Sequence, residues 1–99
     1  MNSTNITNVS SLFLNIYRIT TADGIILDIY EETKPIIGDM FEYVFGTMLV
    51  DKKSEMNGYV FKNQDNYTYI SFGGLIGKFP TSIIKANIGD NVFLCYKNN

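Results

Sequence analysis

Between Tyr67 and Phe79 the chain runs Tyr-Thr-Tyr-Ile-Ser-Phe and then Gly73-Gly74-Leu75-Ile76-Gly77-Lys78-Phe79, three glycines within five positions. Thr, Tyr, Ile and Phe pack well on a pleated surface. Gly inside such a run marks a bulge, a barrel corner or the close approach of another backbone. The expectation is one long strand, bent in its middle. Such strands belong to small closed barrels, where one strand serves both sides of a curved sheet.

The rest of the chain alternates short apolar runs with turn residues. Leu12–Ile19 reads as a first strand, apolar on one face at Leu12, Leu14 and Ile16, and Asp23-Gly24 supplies a turn into Ile25–Tyr30. Glu31 to Pro35 ends that strand with charge and a residue that cannot donate to a ladder. Ile36-Ile37-Gly38-Asp39 turns the chain into Met40–Val50, where Phe41, Tyr43 and Phe45 share a face. Asp51 to Glu55 reads as a charged loop, and Asn57-Gly58 as a tight turn into the short strand Tyr59–Lys62. Asn63 to Asn66 makes another turn into the glycine-bearing stretch. After Phe79, residues Pro80 to Ala86 read as one helical turn or an irregular crossover before the last strand, Val92–Lys97.

Two segments match in kind: Ile37-Gly38-Asp39-Met40-Phe41 and Ile88-Gly89-Asp90-Asn91-Val92-Phe93. In each an Ile closes one end of a core, a Gly permits the turn and an Asp can bond nearby amides. They read as equivalent corners of two halves of a barrel. Six short strands, with no helix long enough for a βαβ unit, make the fold all-β: a small antiparallel Greek-key barrel, oligonucleotide-binding (OB) fold-like. Residues 1–10 read as a flexible polar tail, and 11–99 as a single β-barrel domain.

The chemistry that remains is narrow. His is absent and Cys95 is the one thiol, inside the apolar run Val92–Tyr96, so His-based triads, His metal ligands and intrachain disulfides are excluded. Cys95 reads as a buried structural thiol in a reducing compartment. Asp23, Asp28, Glu31, Glu32 and Asp39 could be offered as a catalytic or cation-binding set, but they fall at turns and strand ends with no partner acid, base or nucleophile. No catalytic residue, metal or cofactor is expected. Gly73-Gly74-x-x-Gly77 lacks the helix N-terminus and Gly-Lys-Ser/Thr of phosphate-binding loops. No window approaches the roughly 20 apolar residues of a membrane helix. Asn2, Asn5, Asn8 and Asn66 each begin an N-x-[ST] triplet; without a secretory route these are by-products of an Asn-rich composition.

Eight Lys and Arg against ten Asp and Glu leave a net charge of −2, which argues against a phosphate-tracking groove as the main business of the chain. Lys52-Lys53 is the one basic pair and reads as part of a solvated charged turn, while Lys62, Lys78 and the other basic residues stand alone. Tyr59, Phe61, Tyr67, Tyr69 and Phe72 could form an aromatic platform for bases, as in single-strand-binding barrels. Core or protein interface is the other reading of aromatics at alternating strand positions, and the charge favours it.

The segment Tyr69-Ile70-Ser71-Phe72-Gly73-Gly74-Leu75-Ile76 resembles the Tyr-Val-Ser-Tyr/Phe-Gly-Gly-Leu-Leu segment of the eighth small subunit shared by eukaryotic RNA polymerases I, II and III, a family that includes an archaeal RNA polymerase counterpart. Ile25–Ile29 resembles that family's Leu-Ile-Leu-Asp-Val strand, Pro35–Phe41 its Pro-Val-x-Leu-Gly-Asp-Lys-Phe corner, and Val92–Lys97 its closing strand. The family's long connection before its second half shrinks here to Asp51–Asn57. The resemblance covers roughly residues 12 to 97, and the Gly-Gly-Leu segment is its specific part.

The resemblance implies a non-catalytic accessory or assembly subunit of a multisubunit DNA-directed RNA polymerase. Such a subunit packs on the largest polymerase subunit and its neighbours through strand surfaces that include Phe72, Gly73, Gly74 and Leu75. Nucleic-acid contact would be indirect, no membrane is involved, and the location would be nuclear in a eukaryote or cytoplasmic in an archaeon or cytoplasmic virus. The alternative is a free-standing OB-type single-stranded nucleic-acid-binding protein using Tyr67, Tyr69 and Phe72.

Overall fold

A computed structural model describes residues 2–46 and 56–97. Eight strands follow one another: β1 (Asn2–Phe13), β2 (Ile16–Thr21), β3 (Ile26–Tyr30), β4 (Met40–Phe45), β5 (Met56–Gln64), β6 (Tyr67–Phe72), β7 (Leu75–Pro80) and β8 (Asn91–Lys97). They close into a barrel in the order β1-β2-β3-β7-β6-β5-β8-β4, with β4 pairing back onto β1 and every pair antiparallel. In each half, three hairpin-linked strands are followed by a fourth that returns beside the first, which is a Greek key. The small, closed, OB-like Greek-key barrel expected from the sequence is therefore the fold, built from eight strands rather than six.

The two halves are related by a pseudo-two-fold axis. Exchanging β1–β4 with β5–β8 reproduces the strand order, and β4 meets β8 with Tyr43 opposite Leu94. The matched corners carry this symmetry in their turns, although Ile37 and Ile88, expected to close the core, are 64% and 69% exposed. Asp39 N–H donates to the Ile36 carbonyl at 3.0 Å while Ile36 N–H donates to Asp39 Oδ2 at 3.0 Å; Asp90 and Asn87 exchange the same pair of bonds at 3.0 and 2.9 Å. Gly38, at φ 100°, donates to Ile6 of β1, and Gly89, at φ 93°, donates to Val60 of β5, each at 2.8 Å. A carboxylate bonded to an amide three residues back locks each turn, and Gly supplies the positive φ that it needs.

Ile6 and Val60 also mark the register shifts of β1 and β5. β1 pairs with β4 through Asn2–Asn5 and with β2 from Ile6 onward; β5 pairs with β8 through Met56–Tyr59 and with β6 from Tyr59 onward. A bulge bends and twists a strand, which lets one strand serve two sides of the barrel. The sequence places that device in Tyr67–Phe79, and the structure has it in β1 and β5 instead.

Tyr67–Phe79 is not a bent strand but a hairpin. Gly73 and Gly74 both take positive φ, 52° and 79°, in the two-residue turn whose twist matches that of paired strands. The third glycine, Gly77, sits within β7, buried against Leu27 and Ile70, where a Cβ would collide. The expected turn at Asn57-Gly58 is likewise strand. Gly58 packs against the Ser71 carbonyl and Phe72 Cβ, so it is a site of close backbone approach.

The expected tail is also replaced, since Asn2–Phe13 is the longest strand and the barrel domain starts at residue 2, not 11. Its polar residues face solvent, while Thr4 and Ile6 turn inward and are buried. The expected strand through Leu12, Leu14 and Ile16 is broken by the β1–β2 turn, where Asn15 takes φ 61° and Phe13 and Leu14 are 74% and 80% exposed. The end of the Met40–Val50 strand and the Asp51–Glu55 loop fall outside the described residues.

Inward side chains alternate along each strand into one core: Ile19, Leu27, Ile29, Phe41, Tyr43, Val60, Ile70, Phe79, Val92 and Leu94. Phe79 packs edge-on against Tyr43 and Phe45, each at 5.1 Å between ring centroids. Cys95 is buried, as its apolar run implies.

Candidate functional site

The hairpin tip between β6 and β7 holds the four residues expected to meet a partner. The structure divides them. Phe72, the last inward position of β6, is buried in the core, while Gly73 and Gly74 are exposed and Leu75 packs partly against the core. The tip therefore offers backbone N–H and C=O groups rather than side chains, with Ile76 beside it 53% exposed.

A groove of about 450 Å³ opens beside this tip, lined by Tyr30, Glu31, Met56, Asn57, Phe72, Gly73 and Leu75. Its neighbourhood breaks the two-fold symmetry. In the second crossover Ile83 and Ile84 pack against the core, but the equivalent positions of the first are Glu32 and Thr33, both exposed. One crossover seals its part of the core with apolar side chains and the other turns polar ones to water. Burial of apolar surface drives such sealing.

Of the carboxylates that the sequence offers as a set, Asp23, Asp28 and Asp39 are held in separate contacts. Asp23 accepts a hydrogen bond from Thr21 Oγ1 at 2.6 Å and one from Tyr43 Oη at 3.2 Å; Asp28 holds Arg18 in a two-point ion pair at 2.8 and 3.1 Å; Asp39 accepts from Tyr96 Oη in the interior. Glu31 follows β3 and Glu32 is exposed, both in the first crossover. Burial, then the Asp23 charge and hydrogen bond, pushes the Tyr43 phenol up to about 12. Burial and then Asp39 push Tyr96 up as well, with a smaller contribution from the Glu31 charge. The Asp23 and Asp39 bonds fasten turns to the barrel wall, and the Asp28 pair links β2 to β3. Among the described residues no group of three or more His, Cys, Asp or Glu could hold a metal, and no helix is long and apolar enough to cross a membrane.

The aromatic candidates separate by strand alternation. Phe72 turns inward, whereas Tyr67 and Tyr69 turn outward with Phe61. The β5 bulge leaves Phe61 as the extra residue between Val60 and Lys62, so its ring reaches Tyr69 at 6.2 Å between centroids, and Tyr69 meets Tyr67 at 6.4 Å. Lys62 Nζ lies 4.4 Å from the Tyr69 centroid and Lys78 Nζ 4.5 Å from that of Tyr67. Along the chain the two lysines stand alone. Cross-strand pairing brings them together, with Lys62 and Lys78 on either side of Tyr69.

No protein-family model matches this chain, and no curated protein sequence matches it either.

Proposed function

We propose that this chain is a non-catalytic accessory and assembly subunit of a multisubunit DNA-directed RNA polymerase, docking on the largest subunit and its neighbours and so serving transcription. One observation carries the reading. The segment that resembles the eighth polymerase subunit, Tyr69–Ile76, forms an exposed glycine tip beside a groove partly lined with apolar side chains. A tip free of side chains lets a partner's backbone approach closely, and a groove beside it suits one anchoring apolar side chain. The matched Gly-Asp corners add to the resemblance, because Pro35–Phe41 and the closing strand fall in the same order as in that family. The Asp23, Asp39 and Asp90 carboxylates, each bonded within or across a turn, suit a scaffold role. Its location follows that of the polymerase: the nucleus of a eukaryote, or the cytoplasm for an archaeon or a cytoplasmic virus.

The test is purification of the tagged full chain from the cells or infected cells that produce it. The largest polymerase subunit is expected to co-purify. Gly74→Val is strained at φ 79° even though nothing lies within 4 Å of its Cβ, and is expected to disrupt the hairpin or the docking; Gly74→Asn, which tolerates positive φ, is expected to keep the far-UV spectrum of the barrel and weaken recovery of that partner. Full recovery of the chain with no large polymerase subunit overturns the reading.

A further inference from the structure

The net charge of −2 is unevenly placed. Of the described carboxylates, Asp28 lies on β3 and Glu42 on β4, while Asp23, Glu31, Glu32, Asp39, Asp65 and Asp90 lie in turns and crossovers. Glu42 is paired with Lys97 on the β4–β8 side. Across β2, β3, β7, β6 and β5 the described strands carry Arg18, Lys78 and Lys62 against Asp28 alone, and Asp28 is consumed by Arg18. That outer face is cationic although the chain is acidic.

On this face the register sets Lys62, Tyr69, Lys78 and Ile26 side by side on β5, β6, β7 and β3. Neighbouring strands lie about 4.8 Å apart, so the row is roughly 15 Å long. Phe61 and Tyr67 flank Tyr69, and Asp65 marks the turn at one end. A groove of about 420 Å³, lined by Arg18, Thr20, Ile26, Asp28, Ile76, Gly77 and Lys78, continues the surface from Lys78 toward β2. Three half-buried rings interleaved with two ammonium groups combine π-faces with cations at strand spacing. This is the chemistry that takes a single nucleic-acid strand, because every base has a face to stack and every nucleotide a phosphate.

We propose that the outer face of β5–β6–β7 is a binding site for single-stranded nucleic acid, with Tyr67, Tyr69 and Phe61 stacking bases and Lys62 and Lys78 meeting phosphates. In the free protein each ammonium rests on a tyrosine ring. The lysine stem is long and rotatable, so the ammonium turns to a phosphate when a base takes the ring. Binding is independent of sequence, since stacking and charge read no base edges. The site is distinct from the Gly73-Gly74 tip and stands or falls separately from the polymerase reading, because its test needs only the isolated chain.

Fluorescence anisotropy of labelled 15-residue oligo(dT) and oligo(rU), titrated with the full chain at low and rising salt, tests it. Binding is expected at low salt and to weaken as salt rises. Tyr69→Ala is expected to weaken it about 5- to 150-fold, the range of one lost base stack. Lys62→Gln with Lys78→Gln, which leaves the core untouched, is expected to flatten the slope of log affinity against log salt by about 1.4, two phosphate contacts on a single strand. Thermal unfolding of each variant checks that the barrel persists. No binding by the wild-type chain at low salt overturns the proposal, as does binding unchanged by both sets of variants. Equal competition by inorganic polyphosphate, which has charge but no bases, overturns it too.

Discussion

Gly58→Ala is the sharpest test of how the barrel is held together. Gly58 lies in β5 with an ordinary backbone conformation, so the substitution introduces no backbone strain of its own. A Cβ there would press on the Ser71 carbonyl oxygen and stand 2.8 Å from Phe72 Cβ and 3.2 Å from the Ser71 carbonyl carbon. Neither neighbour can rotate away, so β5 and β6 must separate. Overpacking that moves backbone costs about 3 kcal/mol, and the smaller unfolded-state entropy of Ala returns about 0.5 kcal/mol. Gly77→Ala is the control. Its Cβ would meet Leu27 Cδ1, the end of a flexible side chain, and Ile70 Cγ1 at 3.2 Å, so repacking holds the net cost to about 1 kcal/mol.

Urea and thermal unfolding followed by far-UV circular dichroism and by tyrosine fluorescence, from seven Tyr and no Trp, measure both. Gly58→Ala is expected to lower the melting temperature by about 10–20 °C and Gly77→Ala by less than about 8 °C. A Gly58→Ala cost no greater than that of Gly77→Ala would refute the argument. It would mean that Gly58 serves a turn, as Asn57-Gly58 suggests in sequence.

Two further outcomes follow from the same structure. Removing residues 1–10 is expected to abolish cooperative unfolding rather than leave a trimmed barrel, because it strips Ile6 from the core and opens both the β1–β4 seam and part of β1–β2; a well-dispersed NMR spectrum from the truncated chain would contradict this. Tyr43, raised to about 12 against about 10 in an unfolded chain, makes its full contribution below pH 10; between pH 10 and 12 the unfolded chain loses the proton first, so stability falls as pH rises. Urea midpoints at pH 9, 10 and 11 are expected to decline less steeply for Tyr43→Phe than for the wild type.

Much of the local structure is legible in the residues. Asp23-Gly24 turns β2 into β3, and Asp65 and Asn66 both adopt the positive φ that a tight hairpin turn requires. The two Gly-Asp corners fold alike because a carboxylate, an amide three residues back and a glycine form a self-sufficient turn. The Gly73-Gly74 hairpin is within reach of sequence too, since two glycines between alternating strands are a hairpin signal. Its proximity to Gly77 disguises it, as one triplet of glycines serves two purposes. The polar N-terminus conceals β1 because one face of that strand lies in water, leaving Thr4 and Ile6 as its signal of burial.

The candidate sites are legible as residues and not as surfaces. Phe72 and Tyr69 look alike among strand aromatics, but strand alternation sends one to the core and the other outward. A phase error of one residue reverses every such assignment, and the β5 bulge makes that error where sequence gives no warning.

By itself the sequence determined an all-β chain of short strands, its matched turns and the absence of histidine and of an intrachain cysteine pair, because turn propensity, alternation and residue type are properties of neighbours along the chain. Tertiary structure alone decided that Gly58 is a contact rather than a turn. It also decided that an acidic chain presents a cationic aromatic face, and that one crossover seals the core while its twin stays polar. Those features arise from strands distant in sequence meeting at fixed register, and net charge or local pattern carries no record of which residues become neighbours across a closed barrel.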